Sequence, residues 1–185
     1  QRKLVTSNYC SHTCTVEVAQ AIFQIGKLMS AVKVFGKSGA ELVTDSRNAA
    51  SDPADYFDYI MFGWSNTTSG YRLAMERLLG RAPSEEELQE KFIPGVSFHF
   101  LYEELIQAPG YMFDGYHVAK VRDSLDLDTF LNLCVIPSKD KACFEGLISS
   151  QLQDRVLYLD YEGEGLQAWN TKVNQVLHGK DKLKE

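Results

Sequence analysis

Residues 95–102 read GVSFHFLY, and this stretch decides the fold class. Val96, Phe98, Phe100 and Tyr102 fall on one side of an extended chain, and Ser97, His99 and Leu101 on the other. Such period-two alternation marks a β-strand. Three later runs bounded by turn residues have the same character: GYHVAKV (115–121), FLNLCVIP (130–137) and RVLYLDY (155–161). Upstream the period changes. Val18, Ile22, Ile25, Met29 and Val32 are spaced for one helical face, predicting a helix over Thr15 to Phe35, capped by Thr13 or Thr15 and ended by Gly36. In SGYRLAMERLLG (69–80), Tyr71, Met75 and Leu78 share a side, and Gly80 stands where a C-cap glycine belongs. Ser84 and Glu87 form a capping box that opens another helix. ELVTDS (41–46) reads as a short strand, RNAASDPAD (47–55) as a loop, and YFDYIMFGW (56–64) as either helix or strand. A last helix buries Leu166, Trp169, Val173 and Val176 and stops at Gly179.

Helices dominate the first half and strands the second. The expected fold is a single α+β domain over 1–178, with a solvated, flexible tail at 179–185. Its helical N-terminal half packs on a mostly antiparallel or mixed sheet from the C-terminal half. No glycine-rich phosphate loop joins a strand to a helix. The 185 residues are 44% hydrophobic and 24% charged, ordinary values for a globular protein. The net charge is −6, and lysine and arginine are scattered, which argues against a nucleic-acid partner. No apolar run approaches the ~20 residues that span a bilayer.

SNYCSHTCTV (7–16) holds Cys10 and Cys14, and Cys134 and Cys143 form a second close pair. Four cysteines allow three disulfide pairings, and the sequence leaves the choice open. If helical periodicity reaches back to Cys10, Cys10 and Cys14 share a face and both reach the 134–143 segment. Closing a loop of that length contributes ~4–5 kcal/mol in the chain-entropy model. Zinc held by Cys10, His12 or Cys14 and the distal pair fits structural-zinc spacing poorly, so no metal is expected. A catalytic cysteine needs a histidine in space, and His99 or His117 could serve. Disulfides are the favoured reading and imply an oxidising compartment. The start at Gln1, without an initiator methionine, matches a processed, secreted form, as does the glycosylation sequon at Asn66.

Three groups of residues could carry function. His99 and His117, with Glu103, Glu104, Asp114 or Asp123 nearby, form an acid–base or hydrolytic site if their strands are neighbours. Six aromatics crowd residues 55–71, and Tyr56, Tyr59 and Trp64 are candidate binding anchors. The third group is the series Arg47, Thr67-Thr68-Ser69 and Glu162-x-Glu164. Taken in order it resembles the arginine, Ser-Thr-Ser and Glu-x-Glu motifs of arginine-directed ADP-ribosyltransferases. That resemblance implies NAD as cofactor, Arg47 as an NAD ligand and Ser69 as a pocket residue. It makes Glu164 the catalytic acid and Glu162 the residue that orients the acceptor. The middle motif here reads Thr-Thr-Ser and opens a helix, whereas the family places it on a strand.

The stretch from DYFDYIMFGW through RLAMERLLGRAPSEEEL, PGVSFHF and FDGYHVAKVRD resembles uncharacterised secreted proteins of filamentous fungi. The resemblance implies an extracellular, effector-like protein delivered to a host. Sequence therefore gives two functional expectations. The first is a secreted protein that binds a host or extracellular macromolecule without a cofactor. The second is a secreted enzyme, NAD-dependent or hydrolytic.

Overall fold

The computed structural model describes residues 8–30, 33 and 57–182. Its elements are Tyr9–Cys14 (β1), Val16–Ile25 (α1), Lys27–Met29 (β2), Tyr59–Trp64 (β3), Ser69–Leu79 (α2), Glu85–Glu90 (α3), Val96–Leu101 (β4) and Tyr102–Leu105 (α4). Then come Tyr111–Met112 (β5), Ala119–Arg122 (β6), Ser124–Asp126 (β7), Leu127–Phe130 (α5), Leu133–Pro137 (β8), Val156–Leu159 (β9) and Leu166–Lys182 (α6). Two 3₁₀ segments, Ser138–Phe144 and Gln153–Arg155, lie between β8 and β9.

The protein is α+β, and its described residues build a mixed seven-stranded sheet in the order β5-β6-β3-β1-β4-β8-β9. All its pairings are antiparallel except β8 with β9. Strands β2 and β7 form a separate antiparallel pair. The expected split into a helical N-terminal half and a C-terminal sheet is corrected here. The central strand, β1, comes from the N-terminus, and β3 is the ambiguous aromatic run 56–64 resolved as strand.

Both sheet faces are covered. Registers place Cys10, His12, Cys14, Phe62, Phe98, Phe100, Cys134 and Ile136 on one face. There they pack with Ala19, Ile22 and Phe23 of α1 and with Leu28, Leu125, Phe144 and Leu152. Tyr9, Leu133 and Val135 are on the other face, under Tyr71 and Met75 of α2, Leu88 of α3 and Leu166, Trp169, Val173 and Leu177 of α6. Strand β8 is buried at all five positions, as expected for a strand covered on both sides.

Local chemistry sets the helix ends. The Thr15 hydroxyl accepts from the Val18 N–H, and Gly26, at φ 81, ends α1 well before the expected Phe35. The chain reverses there, and Met29 falls on β2. Val18 and Ile25, expected on the apolar face, are 38% and 52% exposed, because the buried stripe runs through Ala19, Ile22 and Phe23. The capping box at Ser84 and Glu87 forms, and Arg81 clamps the Glu87 carboxylate with two hydrogen bonds of 2.7 Å. Helix α6 continues through Gly179 to Lys182.

The expected disulfides are absent: Cys10, Cys14, Cys134 and Cys143 are all free thiols. Geometry gives the reason. Cys10 and Cys14 share a face, but of a strand, where four residues span ~13 Å. Cys134 lies on β8 with β4 interposed, so its strand is ~9–10 Å from β1. Disulfides need Cα atoms within ~7 Å. Cys143, exposed while the other three are buried, is likewise unbonded.

Candidate functional site

His99 alternates onto the α2 side of β4, where the overlying helices leave it 1% exposed. Its Nδ1 hydrogen-bonds the Ser65 hydroxyl at 2.8 Å, and its Nε2 hydrogen-bonds the Ser97 hydroxyl at 2.8 Å. The Ser97 hydroxyl in turn meets the Tyr71 hydroxyl at 2.7 Å. Ser65, Ser97 and Tyr71 are themselves buried. The four groups form a closed polar chain inside an apolar layer. Burial pushes the His99 pKa down to about 3, leaving a neutral ring with one donor and one acceptor nitrogen. The chain satisfies buried polar groups and pins α2 to the sheet through Tyr71.

His117 is far from it. It precedes β6, which lies three strand spacings, ~14 Å, from β4. The structure does not bring the two histidines together. His117 belongs to the loop joining β5 and β6, which is organised around Asp114. One Asp114 carboxylate oxygen accepts from the backbone N–H groups of Tyr116 and His117, both at 2.8 Å. The other meets His117 Nδ1 at 2.8 Å and Lys120 Nζ at 3.5 Å. The His117 hydrogen bond, followed by the two N–H groups, holds the Asp114 carboxyl well below the usual carboxylate range. Gly115, at φ 76, supplies the left-handed residue that the turn needs.

This braced loop presents Phe113, 75% exposed, and Tyr116, 84% exposed, with Met112 at its base. Neither aromatic was singled out from sequence. The available signal was Asp114-Gly115 between short apolar runs, a strong hairpin mark. Tyr59 lies beside the loop: its hydroxyl donates to Met112 Sδ at 3.1 Å, and Lys120 Nζ sits 4.4 Å from its ring centroid. Trp64 is half-buried and packs on Tyr102 at 5.1 Å, so it contributes mainly to the interior. Tyr56 lies outside the described residues.

Glu162 and Glu164 occupy the turn between β9 and α6. Glu164 accepts from the Glu162 N–H at 2.7 Å and pairs with Lys172 Nζ at 3.2 Å. Burial opposes ionisation of Glu164, but backbone N–H groups and Lys172 outweigh it and lower the pKa. Lys172 also donates to the Asp160 carbonyl. Ser69 hydrogen-bonds Thr67 at the start of α2. Strands β3 and β9 run in opposite directions with three strands between them, so the segments that follow them leave opposite ends of the sheet. Arg47 lies outside the described residues. No cluster of histidine, cysteine, aspartate and glutamate able to hold a metal occurs among the described residues. No described helix is long and apolar enough to cross a membrane.

In sequence His12 offers itself only as a zinc ligand. It faces the core beside Phe62, with Nδ1 3.2 Å from the Met61 carbonyl oxygen. Burial, opposed by that hydrogen bond, lowers its pKa to about 4. Compared with known proteins, the chain matches no family model, no curated protein and no solved structure.

Proposed function

We propose that this protein acts by binding another protein, with the tip of the β5–β6 hairpin as its recognition element. The observation that carries this reading is the exposure of Phe113 and Tyr116 on a loop braced by Asp114. Isolated exposed apolar residues are common, but two largely exposed rings on one preorganised loop are not. Aromatics bury much area with few rotors, and a loop already held in place loses little entropy on docking. The acidic balance of −6 disfavours nucleic acid and anionic lipid surfaces. Action on a host or extracellular protein is part of the proposal and rests on the resemblance to secreted fungal proteins. The disulfide argument for export no longer supports it, since the four thiols are free.

The test is comparative. Partners are captured by crosslinking to the wild type and to a Phe113→Ser/Tyr116→Ser variant, and each purified partner is then titrated against both. Loss of two anchor side chains weakens a genuine partner by on the order of a hundredfold or more. Equal affinities, within about threefold, would remove the hairpin from the binding surface.

A further inference from the structure

The two edges of the large sheet are not alike. One edge, β5, is two residues long and tied into a hairpin. The other, β9, is Val156-Leu157-Tyr158-Leu159, and among the described residues it pairs only with β8. Natural edges are usually guarded by charge, proline, a bulge or brevity. None of the four β9 residues is charged, a proline or a glycine. Their outward N–H and C=O groups form a template that only another extended backbone matches.

A cavity of about 300 Å³ opens beside this edge, lined by Phe144, Glu145, Ile148, Gln153, Val156 and Tyr158. Val156 and Tyr158 are alternate residues, so they share one face of β9. A strand added to β9 sets every second side chain on that same face, over the cavity mouth. Phe144, Ile148 and Val156 are the apolar side chains of its lining, beside the polar Glu145 and Gln153. Glu145, at its rim, has no ion-pair partner among the described residues. The field of its carboxylate reaches the Tyr158 hydroxyl, whose pKa is raised by burial and then by Cys134 and Glu145. Lys141 lies over the Tyr158 ring, 5.2 Å from the centroid, and is not among the cavity-lining residues.

We infer that β9 is a strand-addition site for an extended segment of a partner protein, which pairs with Val156–Leu159 and lays a lysine or arginine side chain in the adjoining cavity. The aliphatic stem of that side chain packs on Ile148 and Val156, and its cationic head meets Glu145 and the Tyr158 hydroxyl. The site is separate from the hairpin and stands whether or not the hairpin binds anything.

The probe is an acetylated, amidated peptide, Thr-Val-Thr-Lys-Thr-Val-Thr, titrated into the isotope-labelled full chain while backbone amide shifts are followed. Saturable shifts confined to Val156–Leu159 and residues 144–148 are expected. Replacing the peptide lysine by glutamate weakens binding at least ~10-fold, and Glu145→Lys in the protein reverses that preference. Glu145 is exposed, so this variant folds. Peptides N-methylated at alternate residues, in each of the two registers, show whether the backbone pairs; one register loses binding. Equal binding of both methylated forms, shifts centred elsewhere, or none at millimolar peptide would overturn the inference. So would concentration-dependent shifts of the same amides without peptide, which would assign the edge to a second copy of the chain.

Discussion

His99 makes the protein's stability depend on pH over a window that begins above the range of ordinary carboxylates. The ring is neutral in the fold, with a pKa of about 3, against 6.5 when free. A histidine whose folded pKa is depressed takes up its proton more readily once unfolded, so acid favours the unfolded chain. The contribution is complete above about pH 6.5 and is lost progressively as pH falls toward 3. Each pH unit inside that window costs about 1.4 kcal/mol, so descending from pH 6.5 to 4 removes about 3 kcal/mol. That is a large part of the ~5–15 kcal/mol by which domains are stable. The perturbation is His99→Gln, which keeps a donor and an acceptor between Ser65 and Ser97 but cannot titrate. Urea unfolding, followed by the fluorescence of Trp64 and Trp169, gives stability at a series of pH values. The variant starts lower at pH 7 because its shape differs, so the slope between pH 6 and 4 is the quantity to read. It should be shallower than wild type by about 1.4 kcal/mol per pH unit. His12, depressed to about 4, acts in the same direction but is present in both proteins and cancels in the difference. Asp114 and Glu87, whose pKa values are also lowered, begin to lose their contributions as pH falls below about 5, but they too are present in both proteins and cancel in the difference. Parallel slopes in the two proteins would mean that His99 protonates within the fold, and the buried Ser65–His99–Ser97–Tyr71 chain would be wrong.

A thiol reagent should modify Cys143 quickly in the native protein and the remaining three cysteines only on unfolding, because burial raises the Cys10 and Cys14 pKa to about 12 and that of Cys134 well above normal. Fewer than four thiols in denaturant would restore the disulfide reading. Gly70→Ala places a methyl group 2.7 Å from Thr13 Oγ1 and should cost about 1–3 kcal/mol in chemical denaturation, despite alanine's better helix propensity. Removing the obstructing hydroxyl with Thr13→Ala in that background should recover part of the loss, since only the Thr13 Cβ contact at 3.2 Å remains. Incubation with NAD should release no nicotinamide, since Glu164 is held by Lys172 and the Glu162 N–H; release that Glu164→Gln abolishes would reinstate the transferase reading.

What the sequence could tell depended on whether a local period had one structural meaning. The alternation in GVSFHFLY has only one, and β4 forms where it predicts. The two helices flanking Gly80, one closed by that glycine and one opened by the capping box at Ser84 and Glu87, follow from side-chain chemistry that acts within a single turn. Cys10 and Cys14 are different. A spacing of four puts two residues on one face of a helix and also on one face of a strand, so shared facing was legible and distance was not. A helical turn brings such residues within ~6 Å, whereas a strand sets them ~13 Å apart. Burial of the polar side of β4 was equally hidden. Ser97 and His99 look like the solvent side of an antiparallel strand until α2 and α6 close over them, and nothing within eight residues of sequence encodes that cover. The aromatic crowd at 55–71 is a case of the same kind. Strand β3 lies between β1 and β6, so Phe62 is buried and Trp64 packs against the core, whereas Phe113 and Tyr116 sit in the loop between β5 and β6. An interior strand takes rings into the core, and the loop joining an edge strand to its neighbour leaves them exposed. The position of a ring relative to Asp114-Gly115 was therefore a better guide to exposure than the local density of rings.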